Sequence, residues 1–363
     1  MRFDPEAIYI EPGAENYPLT GEVLRRFPNV PALAVADAET VVAELKRTRA
    51  DVFGAGKKQL VLSRFKGPFL KKCPGTSKGM VCCNYYVVNL IKNCAYDCSY
   101  CFLQDFLENN PVLTAFVNVE DLLRELDAVF RENPGRVFRV GTGELTDSLA
   151  LEDAVPYADY LVPFFKERKN AALELKTKSA RIESLLRHGG ADNIVVSWSL
   201  NPQEAIDREE KGTASLEARL EAARKCRENG FRIGVHFDPI LLFPGWERAY
   251  EEVVDALFLK IPPSAIEWIS LGSFRYRPNL KQVARERHGE NMLFVGEHVQ
   301  CEDGKFRYLR PVRNRAYETL RHMLKRRSRD LSVYLCMETK EVWEKTTGKL
   351  PRSDEKLDQF FDL

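Results

Sequence analysis

Cys94, Cys98 and Cys101 crowd into one stretch, "NCAYDCSYCFLQ" at 93–104, with the spacing C-x3-C-x2-C. Thiolates at that density bind soft metals or iron–sulfur clusters. Three of them leave a tetrahedral ion or a cubane cluster one ligand short, and an open position marks a catalytic rather than a structural site. Two other readings stand beside this one. A structural zinc could take Cys82 or Cys83 as its fourth ligand, although no second C-x2-C knuckle accompanies the first. The thiols could also be a buried, unligated group. The chain has nine cysteines. Cys73, Cys82 and Cys83 precede the triplet closely, while Cys226, Cys301 and Cys336 are scattered. A chain of 363 residues builds a core without staples, so a disulfide scaffold is not expected.

The elements that must hold such a loop follow a rhythm. "NYYVVNLIKN" reads as a strand entering the loop, and "NVEDLLRELDAVFREN" as an amphipathic helix ended by Pro134-Gly135. Strands "RVFRVGTGE", "AALELKT", "NIVVSWSLN", "FRIGVHFDPI" and "AIEWISLGS" follow. Helices are expected over 150–168, in "SARIESLLRH", in "SLEARLEAARKCREN" and in "GWERAYEEVVDALF". Alternating strands and helices imply parallel βαβ units. The fold class is α/β: a partial (β/α)6 TIM-type barrel over 81–275, with a doubly wound sheet as the competing arrangement. An irregular N-terminal extension, 1–80, is expected to pack on the barrel, with "AIYIEP" and "LVLSRF" as candidate short strands. There Thr40 is a candidate helix cap, and "GAGKK" at 54–58 reads as a turn, because GxxxxGK[ST] is absent. Residues 276–363 supply a β-hairpin turning at Asp303-Gly304, a basic helix and a last strand, "LSVYLCME".

The cysteine spacing, after the first strand of a β/α barrel, resembles the signature of radical S-adenosylmethionine (SAM) enzymes. "CSYCFLQ", "TDSLALE", "TKSARIESLL", "SWSLN" and "DPILLFPGWERAYEEV" resemble, in order and spacing, the spore photoproduct lyase family over roughly 80 to 340. That resemblance implies a [4Fe–4S] cluster on Cys94, Cys98 and Cys101, with SAM on the fourth iron. It implies reductive cleavage to a 5′-deoxyadenosyl radical, which abstracts hydrogen from a substrate, and a reducing partner such as flavodoxin or ferredoxin. Tyr100 and Thr146 are expected near the SAM methionine, Lys178 against its carboxylate and Ser199 beside it. Asp238 is placed to accept ribose hydroxyls, and Gly141 and Gly143 to admit SAM close to the backbone. Solvated, capping or core roles are the plain alternatives for each.

Two departures bear on the reaction. The family's hydrogen-donor cysteine ends the second strand, where this chain has Glu144. Its partner tyrosine follows the third cluster cysteine, where this chain has Phe102. Neither side chain can give up a hydrogen atom. Cys336, Cys301 and the Cys82-Cys83 pair are substitute thiols, with Cys336 equally readable as a small buried hydrophobe. The substrate implied is a nucleic-acid base or UV lesion; RNA, a nucleotide or a peptide, or a metal-stabilised nucleic-acid binder without turnover, are the competing readings. Basic segments 64–72 and 310–330 carry interleaved aromatics suited to nucleic acid, or are solvated faces. Globally, 54 basic and 53 acidic side chains nearly cancel. No apolar run reaches the ~18 residues of a membrane span, and "MRFDPEAIYI" has no signal-like core, so a cytoplasmic location is expected.

Overall fold

The computed structural model describes residues 3–75, 79–81 and 83–348. Cys82 lies outside the described residues. Six parallel strands pair in chain order: Tyr85–Val87, Phe138–Gly141, Ala171–Thr177, Ile194–Ser199, Arg232–Ile240 and Ile266–Ser273. They are the six strands expected of the barrel. Val333–Leu335 adds a seventh parallel strand at the far edge, and Lys71–Lys72 closes the near edge antiparallel. The sheet curls into an open half-barrel, so the fold class is the partial TIM-type barrel. Helices cover its outer face. Val119–Glu132 shows why: Val119, Leu122, Leu126 and Phe130 recur at helical spacing, and all four are buried.

Helix 150–168 is shorter than expected, running only over Ala158–Lys166. The Asp147 carboxylate accepts from Leu149 N, Thr177 Oγ1 and Lys178 N, and so ties 147–155 to the barrel rim as turns.

The N-terminal extension is not irregular. Ala32–Ala34, Ala7–Ile10, Gln59–Ser63 and Leu113–Phe116 form a second parallel sheet, with Ile91–Lys92 antiparallel at its edge. Helices Pro18–Arg26, Ala38–Thr48 and Val52–Gly56 connect its strands. Asp37, rather than Thr40, caps the second of these, accepting from Thr40 N at 2.8 Å. The stretch "NYYVVNLIKN" is therefore split: its first half belongs to the barrel and its second to this sheet. The cysteine loop sits between Ile91–Lys92 and Leu113–Phe116, bracketed by strands of the second sheet.

The expected hairpin is His298–Gln300 with Phe306–Tyr308, extended by Arg275–Tyr276 to three strands. Helix Arg310–Arg327 packs on Trp246–Lys260. Among the described residues, no helix is long and apolar enough to cross a membrane.

Candidate active site

The cysteine loop is fastened from several directions. Asn93, left-handed at φ 68°, caps the Cys94 N–H through Oδ1 and donates from Nδ2 to Pro111 O. Asp97–Cys98 pairs antiparallel with Glu210–Lys211. Gln104 Nε2 donates to the carbonyls of Cys98, Ser99 and Cys101 at 3.0–3.3 Å. The result is a backbone that holds its thiols inward. Cys94 and Cys98 are buried, Cys101 is half-buried, and all three are free thiols. The Tyr96 N–H approaches Cys94 Sγ at 3.4 Å, an amide that stabilises sulfur-borne negative charge.

Burial pushes the Cys94 thiol up to about 11 and Cys98 well above its ordinary value. Cys101 adds to the rise at both, and Cys94 adds to it at Cys98. Among the described residues, no three His, Cys, Asp or Glu side chains converge tightly enough for a single ion. A cubane places each thiolate on its own iron, and three free thiols on one pinned loop fit that arrangement.

Beside the loop stands a buried polar group. Tyr100 Oη donates to Glu210 Oε1 at 2.5 Å, and Asn201 Nδ2 donates to the same oxygen at 2.8 Å. Arg219 meets Glu210 Oε2 at 2.5 Å, with both side chains 0% exposed. Burial alone would raise the Glu210 carboxyl; Arg219 and Lys178 hold it below the usual range. The Lys178 ammonium lies 5.9 Å over the Tyr100 ring. Ser199, 2% exposed, ends its strand with an Oγ that has no hydrogen-bond partner. Thr146 Oγ1 makes only a 3.4 Å contact with the Asp147 carbonyl. Lys178, Ser199 and Thr146 thus leave polar groups available at the rim, as a zwitterionic amino-acid moiety requires.

Two predicted residues are otherwise engaged. Gly141 is small for a different neighbour than SAM: a Cβ there would stand 1.5 Å from the Tyr85 hydroxyl, which crosses over it. Gly143 is less crowded, with Ser148 Oγ 3.2 Å from a Cβ position. Asp238 is held by Arg275 at 2.9 Å and Lys176 at 3.8 Å, which keep its carboxyl well below the usual range against the opposing effect of burial. Its carboxylate is therefore held in an ion pair at the rim. Cys336 Sγ lies 3.8 Å from Arg275 Nη2, so it joins Asp238 at the mouth of the barrel. Glu144 accepts from Asn89 Nδ2 at 2.7 Å. Cys301 lies apart, in the hairpin, with its thiol 3.9 Å from Val299 O. Below the mouth, Glu174 gathers Arg139, Ser197, His236 and Trp268 at 2.6–2.8 Å. Sequence reasoning missed Glu210, Arg219, Asp147 and Arg275, which act on the site through contacts remote in sequence.

Comparison with known proteins bears on this arrangement. The family model described as spore photoproduct lyase matches residues 3–332. The chain belongs to the spore photoproduct lyase family. Radical SAM chemistry defines that family, and its match takes in the N-terminal sheet as well as the barrel. Spore photoproduct lyase of Geobacillus sp. (strain Y412MC61) is 23% identical over 310 residues, covering 81% of this chain and 86% of that protein. That of Bacillus subtilis (strain 168) is 24% identical over 304 residues, covering 81% and 85%. A structure of spore photoproduct lyase complexed with dinucleoside spore photoproduct superposes with a TM-score of 0.80 at 22% identity, covering 92% of this chain and 99% of that one. A mutant with bound AdoMet and the same dinucleoside gives 0.78 at 21%, covering 93% and 100%. These likenesses establish the shared fold.

Proposed function

We propose that this chain is a radical SAM enzyme acting on a nucleic-acid base or lesion, with a hydrogen-return step unlike that of spore photoproduct lyase. The observation that carries the reading is the pair of side chains at the family's relay positions: Glu144, bonded to Asn89, and Phe102. A [4Fe–4S] cluster with SAM supplies a 5′-deoxyadenosyl radical when bound. Cys94, Cys98 and Cys101 would hold that cluster. The Lys178 ammonium would pair with the SAM carboxylate as a point charge, and the Ser199 hydroxyl would donate beside it. Tyr100, fixed by Glu210, would wall the methionine side. Glu144 would meet the substrate as a hydrogen-bond acceptor. Cys336 is the thiol at the barrel mouth suited to donate hydrogen; burial pushes it up to about 12, which preserves the S–H. Segment 64–72 would meet phosphates, and flavodoxin or ferredoxin would supply electrons.

The same two side chains favour a second reading, radical SAM modification of RNA, a nucleotide or a peptide. One experiment separates them. Protein reconstituted anaerobically with iron and sulfide is reduced with dithionite, given SAM, and assayed for 5′-deoxyadenosine with UV-irradiated or unirradiated DNA. Stimulation by irradiated DNA, lost in Cys94→Ala, supports lesion chemistry. Product indifferent to DNA favours the second reading. A loaded cluster without product would leave a metal-stabilised binding protein. Unchanged turnover and products in Cys336→Ala would remove the thiol from the reaction.

A further inference from the structure

The "GAGKK" segment, expected as a turn, is the end of helix Val52–Gly56 followed by a turn at 57–58; it lacks a phosphate-binding pattern, yet the first of its two lysines is buried. Lys57 is 8% exposed. Its Nζ donates to Cys94 O at 2.7 Å and Tyr96 O at 2.6 Å, and stands 3.8 Å from Asp97. The turn reaches the cysteine loop because Gly56 lies against Pro111: a Cβ there would sit 2.5 Å from the Pro111 carbonyl oxygen. On the outer side Arg287 pairs with Asp97 at 3.0 Å and with Asp51 at 3.1 Å. Phe53 lies between the two cations, 4.8 Å from each. An ammonium out of water is expensive unless satisfied, and here the carbonyls that satisfy it belong to the loop.

We propose that Lys57 is a positioning residue for the cluster, delivered by the N-terminal sheet. It fixes the Cys94–Cys98 segment in its ligating shape and sets a positive charge beside the cluster. This rests on the cluster reading of Cys94, Cys98 and Cys101. Two consequences follow from one contact. Without Lys57 the loop loses two charge-assisted hydrogen bonds and its thiols become more accessible. Reduction adds one negative charge to the cluster, and a buried cation held against the loop that carries it favours the reduced form.

The test compares wild type with Lys57→Met and Lys57→Gln, each checked for folding by thermal melting. In cluster-free protein, Lys57→Met is expected to speed iodoacetamide labelling of the three thiols at least tenfold. After reconstitution, its cluster should be at least tenfold less reduced at a fixed potential, a shift of ~59 mV for one electron. Lys57→Gln keeps a donor without the charge, so labelling should stay near wild type while the potential still falls. Should Lys57→Met not fold, Lys57→Gln still decides whether charge sets the potential. Wild-type labelling and potential in folded Lys57→Met would overturn the proposal. Failure of wild type to take up iron would instead overturn the cluster reading, and the labelling arm would still judge Lys57.

Discussion

Glu210 receives three donors where no water reaches, and one of them is the Arg219 guanidinium. Its worth lies in what removal would leave. Glu210→Gln strands a buried cation, and breaking such a pair costs about 3–5 kcal/mol. Urea denaturation should show that loss. A loss under about 1 kcal/mol would mean that Arg219 finds another partner. None of this was legible in the sequence, because Tyr100 and Glu210 are 110 residues apart. The cluster cysteines were legible because spacing within one loop is local information. Asp238 was legible as a rim residue by its place at the end of a strand, but its ion pair with Arg275 depends on the two-residue strand Arg275–Tyr276, which joins the expected hairpin and which no local pattern reveals. The same holds for Gly141, whose small size answers to Tyr85 on a neighbouring strand.

At the scale of elements, the turn 147–155 is locked by a carboxyl that burial has changed. Glu152, 4% exposed, accepts from Ala158 N at 2.9 Å where helix Ala158–Lys166 begins. Burial, helped by Asp159, pushes it up to about 8 from 4.5. Below about pH 4.5 both folded and unfolded chains hold the proton, and the contribution to stability is complete. As pH rises towards 8 the unfolded chain releases its proton first, so stability falls, by at most ~1.4 kcal/mol per pH unit. Glu152→Gln cannot titrate. Urea midpoints from pH 5 to 9 should give it a growing advantage over wild type, and parallel curves would refute the assignment. The barrel strands were readable for a related reason: fully buried parallel strands are continuous apolar runs between glycine-rich stops. The N-terminal sheet was readable only in part, through "AIYIEP" and "LVLSRF". Ala32–Ala34 is three exposed residues, and Leu113–Phe116 lies across the cysteine loop from the strands it joins. Short strands paired over such distances carry no periodic signal.

Over the whole molecule, near-zero net charge conceals two unlike basic segments. Helix Arg310–Arg327 pairs three of its cations with Trp246–Lys260, Arg315 with Glu247 at 2.6 Å, Arg326 with Glu251 at 2.5 Å and Arg327 with Asp255, and a fourth, Arg313, with Glu338 at 2.9 Å. At the hairpin's turn Asp303 likewise grips Arg307 at 2.6 Å. Arg64, Lys66, Lys71 and Lys72 are exposed and enter no ion pair among the described residues. Lys71 and Lys72 pair with the first barrel strand, Lys71 lies 5.2 Å over the Phe65 ring, and Phe65 and Phe69 meet in a tilted contact at 4.8 Å. Free cations release counterions when they meet phosphates, whereas paired ones must first give up a partner. Composition alone could not tell these segments apart, because pairing depends on the opposing helix. Neutralising the four to Gln should therefore flatten the salt dependence of single-stranded DNA binding, read by fluorescence anisotropy, by about 0.7 in slope per lost phosphate contact. Arg315→Gln, Arg326→Gln and Arg327→Gln together should leave that slope in place and lower stability by under about 1 kcal/mol per pair. A slope that followed the helix instead would move the phosphate-contacting surface from the barrel edge to the C-terminal helix.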